Sequence, residues 1–207
     1  LDLEARNQRD ELTMRGNAQV KVSEKLSGPA SSESDDDRVV LVTGGSRGIG
    51  AAIAQLLGSC GMSIALNYLS AKNAAEDVVN QVQGAGGAAR AFAADLNDPN
   101  AAKIMVNDVI GIYGRLDIVV HCAVPGINPR NVSDLNYSDL EDQLRLTLGG
   151  AISIVSAAHR GMAERGFGRF IFLGTSYMNG TPPVGLAAYV TAKQALWGLV
   201  KSMATEL

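Results

Sequence analysis

The chain has 207 residues, of which 46% are hydrophobic and 19% charged, which is enough apolar mass for one good-sized core. A net charge of −3 argues against nucleic acid as the main partner, and no uninterrupted apolar run reaches the ~18 residues of a membrane span. Cys60 and Cys122 lack metal or redox spacing and sit among apolar neighbours, so they are expected to be buried, reduced thiols of a cytoplasmic protein, with no metal site.

The first residues lack the basic start and apolar centre of a signal peptide, and the chain opens without Met, as a piece of something longer would. Leu1, Leu3 and Ala5 alternate with polar residues, and Leu12–Val22 alternates likewise, the period of half-buried strands. Asn7–Glu11 is polar enough to be the turn between them, so residues 1–26 are read as a β-hairpin segment. A lone hairpin is marginal in water and should pack on something else. With Asn7-Gln8 at the turn and Gly16–Val20 in the second strand, it resembles the final hairpin of hot-dog-fold hydratases, which implies a preceding or fused hydratase domain. Residues 27–38, with Gly28-Pro29, a run of serines and Asp35-Asp36-Asp37, have linker composition.

From Val39 onward the pattern changes. Val39–Thr43 is a short β-branched run that reads as a buried parallel strand. It runs into Gly44-Gly45-Ser46-Arg47-Gly48-Ile49-Gly50, and Ala51–Leu57 then has helix composition. Strand, glycine loop and helix together suit a pyrophosphate: glycines permit close backbone approach and the helix N-terminus offers unpaired N–H groups. Further strands are expected at Ser63–Tyr68, Ala88–Ala94, Leu116–Cys122 and Phe170–Leu173. Helices are expected over Ala71–Ala85, from Asp98-Pro99 to about Tyr113, from a capping box at Ser138–Glu141 to about Glu164, and over Ala187–Glu206. This alternation predicts an α/β fold, a doubly wound parallel sheet whose strands end at Thr43-Gly44, Tyr68, Asp95, Cys122-Ala123 and Thr175-Ser176 around one crevice.

Tyr189 and Lys193 lie four residues apart, hence on one face of the last helix, and Ser176 lies thirteen residues before Tyr189. An ammonium near a phenol favours phenolate, which suits a tyrosine to exchange a proton with an alcohol or carbonyl. Thr43-Gly44-x-x-x-Gly48-x-Gly50, Asp95, Ser176 and Tyr189-x-x-x-Lys193, in this order, resemble the short-chain dehydrogenase/reductase family, with 3-oxoacyl-carrier-protein reductases and acetoacetyl thioester reductases the nearest in pattern. The resemblance covers Val39–Leu207 and implies a Rossmann-type sheet with five of the family's seven strands in this chain, incomplete at the C-terminus. It implies that Gly44, Ser46, Arg47, Gly48, Ile49 and Gly50 wrap the cofactor phosphates and that Asp95 and Leu96 hold the adenine. Cys122 and Ala123 would border the cofactor, Ser176 would bind the substrate oxygen, Tyr189 would donate the proton, and Lys193 would bind the nicotinamide ribose.

Asn67, Tyr68 and Ser70 stand at the end of the second strand of this domain, where an acidic residue would select NAD. With no carboxylate there and Arg47 in the glycine loop, NADP(H) is expected. Two stretches depart from the family. His121-Cys122-Ala123-Val124 replaces its usual Asn-Asn-Ala-Gly, with His121 read as structural because Tyr189 already fills the donor role. Thr147 stands where the family has a relay asparagine, and a hydroxyl has fewer hydrogen-bonding sites than an amide. The resemblance implies an NADPH-dependent ketoreductase acting on a small-molecule or carrier-bound 3-oxoacyl thioester, and a homo-oligomer (dimer or tetramer) when complete. It leaves open a same-family dehydrogenase of a sugar, polyol or steroid alcohol, or a non-catalytic NADP(H)-binding module of a larger synthase.

Overall fold

The structure, a computed structural model, describes residues 38–207 in full and the backbone of residues 2–6 and 12–17. Two compact units divide the chain between Ser34 and Asp35. In the first, β1 (Asp2–Arg6) pairs antiparallel with β2 (Leu12–Asn17), with a register shift between Ala5 and Arg6. The expected turn at 7–11, the extension of the second strand to Val22 and the linker over 27–37 lie outside the described residues.

The second unit alternates strand and helix. Its elements are β3 (Val39–Thr43), α1 (Gly48–Ser59), β4 (Ser63–Tyr68), α2 (Lys72–Gly84), β5 (Ala89–Ala93), α3 (Pro99–Tyr113) and β6 (Ile118–His121). Then come α4 (Tyr137–Leu144), a π-helical segment (Arg145–Gly150), α5 (Ala151–Glu164), β7 (Arg169–Phe172) and α6 (Ala187–Glu206). The strands form one parallel sheet in the order β5-β4-β3-β6-β7, so every carboxyl end lies along one edge. The β-branched run of β3 takes the centre and is buried along its whole length. Val39 and Leu41 face a core under α3 and α5, and Val40 and Val42 a second core under α1 and α2. Each helix meets the sheet by one stripe: Ala75, Val78, Val79 and Val82 on α2, and Ala102, Met105, Val106 and Val109 on α3. Fully burying each of the larger side chains contributes about 1.5–3 kcal/mol.

Asp117 clamps the amino ends of the central strands. Its Oδ2 accepts from the Val39 amide (3.0 Å) and from Arg115 Nε (2.7 Å), Arg165 Nε lies 3.7 Å from Oδ1, and its carbonyl accepts from Arg169 N. Asp98 caps α3 as its sequence indicates, accepting from Asn100 N at 2.8 Å with Pro99 in the first turn.

Three expectations need correction. The long helix is capped by Asn136, not Ser138: Asn136 Oδ1 accepts from Asp139 N and Asp139 Oδ2 from Asn136 N, both at 3.1 Å, while the Ser138 hydroxyl donates to Asn136 Oδ1. That helix also loosens into the π-helical segment before α5 begins, a feature often found at functional sites. Cys60 is exposed, because it ends α1 beside Ser59 and Gly61 and faces water. Among the described residues, no helix is long and apolar enough to cross a membrane, and no cluster of three metal-ligating side chains occurs.

Candidate active site

The loop after β3 is shaped by close backbone packing. Gly44 has φ +59°, and a Cβ there would lie 2.9 Å from Ala123 Cα at the end of β6. A Cβ on Gly50 would lie 2.5 Å from the Gly44 carbonyl oxygen. Gly48, at φ +57°, has open space before it. Ser46 is half-buried, and Arg47 and Ile49 are exposed at the start of α1. No side chain caps α1 and its first turn holds no acid, so its leading N–H groups and partial positive charge face outward.

The next strand ends separate into structural and available groups. Asn67 is 2% exposed, and its amide is spent on the protein: Oδ1 accepts from Gly44 N (3.4 Å), while Nδ2 donates to the Phe92 (3.4 Å) and Ala94 (3.2 Å) carbonyls. It fastens the glycine loop to β5 rather than offering its head to a ligand. Leu96 is likewise a core residue, whereas Tyr68 is half-buried and Ser70 exposed. Asp95 is exposed, its Oδ1 accepting from Asn97 N and Nδ2 at 2.9 Å each.

At the end of β3, beside the end of β6, Thr43 is a hub that the sequence did not single out as a site residue. Its Oγ1 accepts from Cys122 N (3.1 Å) and Ala123 N (3.2 Å) and lies 3.0 Å from His121 Nδ1. Burial pushes the His121 imidazole down to about 4, helped by the Lys193 ammonium, while the Leu146 backbone pulls the other way. Burial also pushes the Cys122 thiol up to about 12 against the pull of Lys193.

Lys193 is almost fully buried. Its Nζ donates to the Leu173 carbonyl at 2.7 Å and lies 5.9 Å from the Tyr189 ring centre. Burial lowers its proton affinity, and the neighbouring Cys122 opposes that. The carbonyl it holds is three residues before Ser176, which is exposed at the start of a short 3₁₀ turn. Thr147 lies in the π-helical segment, buried, with its Oγ1 unpartnered. Asp95 and Tyr189 share a cavity of about 520 Å³ with Pro125, Gly126, Gln143 and Gly185; Ser176, Lys193 and the glycine loop do not line it. Two further residues went unnoticed in the sequence. Gln143, one turn before Thr147, donates to the Gly126 carbonyl at 2.9 Å, and its i, i+4 spacing to Thr147 was the available signal. Arg130 N donates to the Gly185 carbonyl at 3.0 Å, tying the loop after β6 to the loop before α6.

Residues 38–207 match the family model described as short chain dehydrogenase. A 3-oxoacyl-[acyl-carrier-protein] reductase, FabG, of Staphylococcus aureus is 34% identical over 168 residues, covering 81% of this chain and 67% of that protein. An uncharacterized oxidoreductase of Mycobacterium tuberculosis is 33% identical over 172 residues, covering 83% and 65%. The solved short chain dehydrogenase of Burkholderia cenocepacia in complex with NADP is 33% identical with a TM-score of 0.76, covering 83% of this chain and 69% of that one. The chain thus spans about two thirds of the length of these curated relatives.

Proposed function

The chain belongs to the short-chain dehydrogenase family, and on that premise we propose that it is an NADP(H)-dependent ketoreductase that reduces the carbonyl of a 3-oxoacyl thioester to a hydroxyl. The observation that carries this reading is the buried Lys193, seated against the Tyr189 ring on a helix that starts at the carboxyl ends of the strands. The FabG relative supports the thioester as substrate.

The residues present fit a dinucleotide with a 2′-phosphate. The space before Gly48, the uncapped start of α1 and the absence of a carboxylate at Tyr68-Leu69-Ser70 suit an anionic group, and the exposed Arg47 supplies a guanidinium for it. Gly44, Ser46, Arg47, Gly48, Ile49 and Gly50 would hold the phosphates, and Ser70, Tyr68 and Asp95 the adenosine end. Asn67 and Leu96 would act from behind, and Cys122, Ala123 and Lys193 would border the nicotinamide. When bound, the cofactor supplies the hydride. Ser176 orients the substrate carbonyl by a hydrogen bond, Tyr189 donates the phenolic proton to its oxygen, and the Lys193 ammonium steadies the phenolate left behind. Thr147 takes the place of the family's relay asparagine, and its unpaired, buried oxygen is free to hold a water.

In this reading the protein works in the cytoplasm as a homo-oligomer, and the exposed Ile152 on α5 and Trp197 on α6 support a contact through these helices. On the resemblance of residues 1–26 to a hydratase, a hydratase-type domain beside this one would carry out the dehydration that follows this reduction. Loss of NADPH absorbance with acetoacetyl thioester tests the assignment. Tyr189→Phe is expected to lower kcat by about 10²–10⁴-fold, and NADPH to outperform NADH in kcat/KM. Equal rates for the native protein and the variant would sink the enzyme assignment.

A further inference from the structure

His121 replaces an amide of the family pattern, and its surroundings define its protonation pattern completely enough to assign it work. Thr43 and His121 are register partners on β3 and β6, both buried at the carboxyl edge of the sheet. The Thr43 hydroxyl oxygen accepts two backbone N–H groups, from Cys122 and Ala123. Its single proton is therefore left for His121 Nδ1, 3.0 Å away, which must be the unprotonated ring nitrogen. The neutral ring then carries its proton on Nε2, a buried atom without a hydrogen bond of good geometry, while the Leu146 backbone also acts on the ring. Phe172 of β7 meets the ring edge-on at 6.0 Å between centroids, and Cε1 lies 3.6 Å from where a Cβ on Gly150 would stand. The imidazole therefore touches β3, β7 and the π-helical segment at once.

We propose that His121 is a positioning residue: as an Nε2–H imidazole it orients the Thr43 hydroxyl, and through it fixes where β6 presents Cys122 and Ala123 to the cofactor. This rests on the cofactor reading above. The same hub reaches the phosphate side, because Gly44 follows Thr43 directly and packs on the Ala123 backbone. An isosteric apolar ring position would leave the hydroxyl proton without an acceptor, and the oxygen free to rotate away from the two amides. The other histidine supplies an internal reference. His159 Nδ1 lies 3.0 Å from the Val155 carbonyl, which can only accept, so that ring carries its proton on Nδ1.

Imidazole ¹⁵N spectra at pH 7 and calorimetric titration with NADP⁺ test the proposal. The native protein is expected to show His121 as the Nε2–H tautomer, with the Nδ1 resonance shifting in Thr43→Val and returning in Thr43→Ser. NADP⁺ binding is expected to weaken at least tenfold in both His121→Leu and Thr43→Val, while His121→Asn and Thr43→Ser stay within about threefold of native. Thr43→Val changes shape little, so it carries the binding test should His121→Leu fail to fold. An Nδ1–H tautomer in the native protein, or native-like NADP⁺ affinity in Thr43→Val, overturns this role alone. Native protein that binds no NADP⁺ overturns the cofactor reading and this role with it.

Discussion

Replacing Gly50 by alanine places a methyl group where the loop has no room. The new carbon would lie 2.5 Å from the Gly44 carbonyl oxygen and 3.0 Å from Gly45 Cα, both backbone atoms that cannot swing aside. Ordinary contact begins at 3.4 Å, so the loop and the start of α1 must part by about 0.9 Å. Gly44 is itself closely packed, since a Cβ on it would lie 2.9 Å from Ala123 Cα. Overpacking of this kind costs about 1–3 kcal/mol, and alanine's helical preference over glycine returns about 0.5–1 kcal/mol. The net is about 1 kcal/mol, or a Tm lower by roughly 2–4 °C for a domain of this size. The displaced carbonyl belongs to the phosphate loop, so NADP⁺ affinity should fall by more than tenfold, a larger effect than the stability loss implies. Thermal melts followed by circular dichroism and NADP⁺ calorimetry measure both. Gly84→Ala at the end of α2, where the added carbon meets nothing within 4 Å, is the control and should leave both unchanged or raise Tm slightly. A Gly50→Ala protein with native Tm and native NADP⁺ affinity would refute the packing argument.

Two further outcomes are expected. His121 takes up a proton in the unfolded chain near 6.5 but in the fold only near about 4, so stability is present above 6.5 and is lost as pH falls from 6.5 to about 4. At 1.36 kcal/mol per unit that gap amounts to about 3 kcal/mol; the urea midpoint of His121→Asn should decline less over this window than the native one, and parallel declines would contradict the burial of the imidazole. The two thiols should differ sharply toward iodoacetamide at pH 8, read by peptide mass mapping. Exposed Cys60 should be alkylated, while Cys122, with a thiol pushed up to about 12, holds only about 10⁻⁴ of its population as thiolate. Equal labelling of both would be inconsistent with the half-buried site of Cys122.

The strands and helices of the second unit were legible because each carries its own signal. Val39–Thr43 is β-branched at every position but Leu41, and Asp98-Pro99 is a cap that acts within two residues. The glycine loop and the Tyr189–Lys193 pair were legible for the same reason, being local patterns with a local geometry. What stayed hidden depends on partners far along the chain. Nothing near His121 announces that its ring nitrogen meets Thr43, 78 residues earlier. Asn67 reads as a polar residue at a strand end, and only the carbonyls of β5 show that its amide is already committed. Arg145–Gly150 ends in Gly149-Gly150, a weak point in any helix, but nothing local says that the winding widens there instead of stopping. Asn136 outcompetes Ser138 as a cap because the chain is extended at Asn136, a backbone fact that two polar residues two positions apart do not reveal.

The Asp117 clamp lies at the edge of the sheet opposite the chemistry, and that separation matters. A strand that slips by one residue turns every side chain to the opposite face. Asp117 sets the stagger of β3, β6 and β7 at their starting line, its carboxylate accepting from Val39 N and its main-chain carbonyl from Arg169 N. Four residues on, roughly 13 Å away, that stagger decides that Thr43 stands abreast of His121. The sheet behaves like a ruler zeroed at one end and read at the other: the fine alignment of the hub is inherited from a residue that never approaches it.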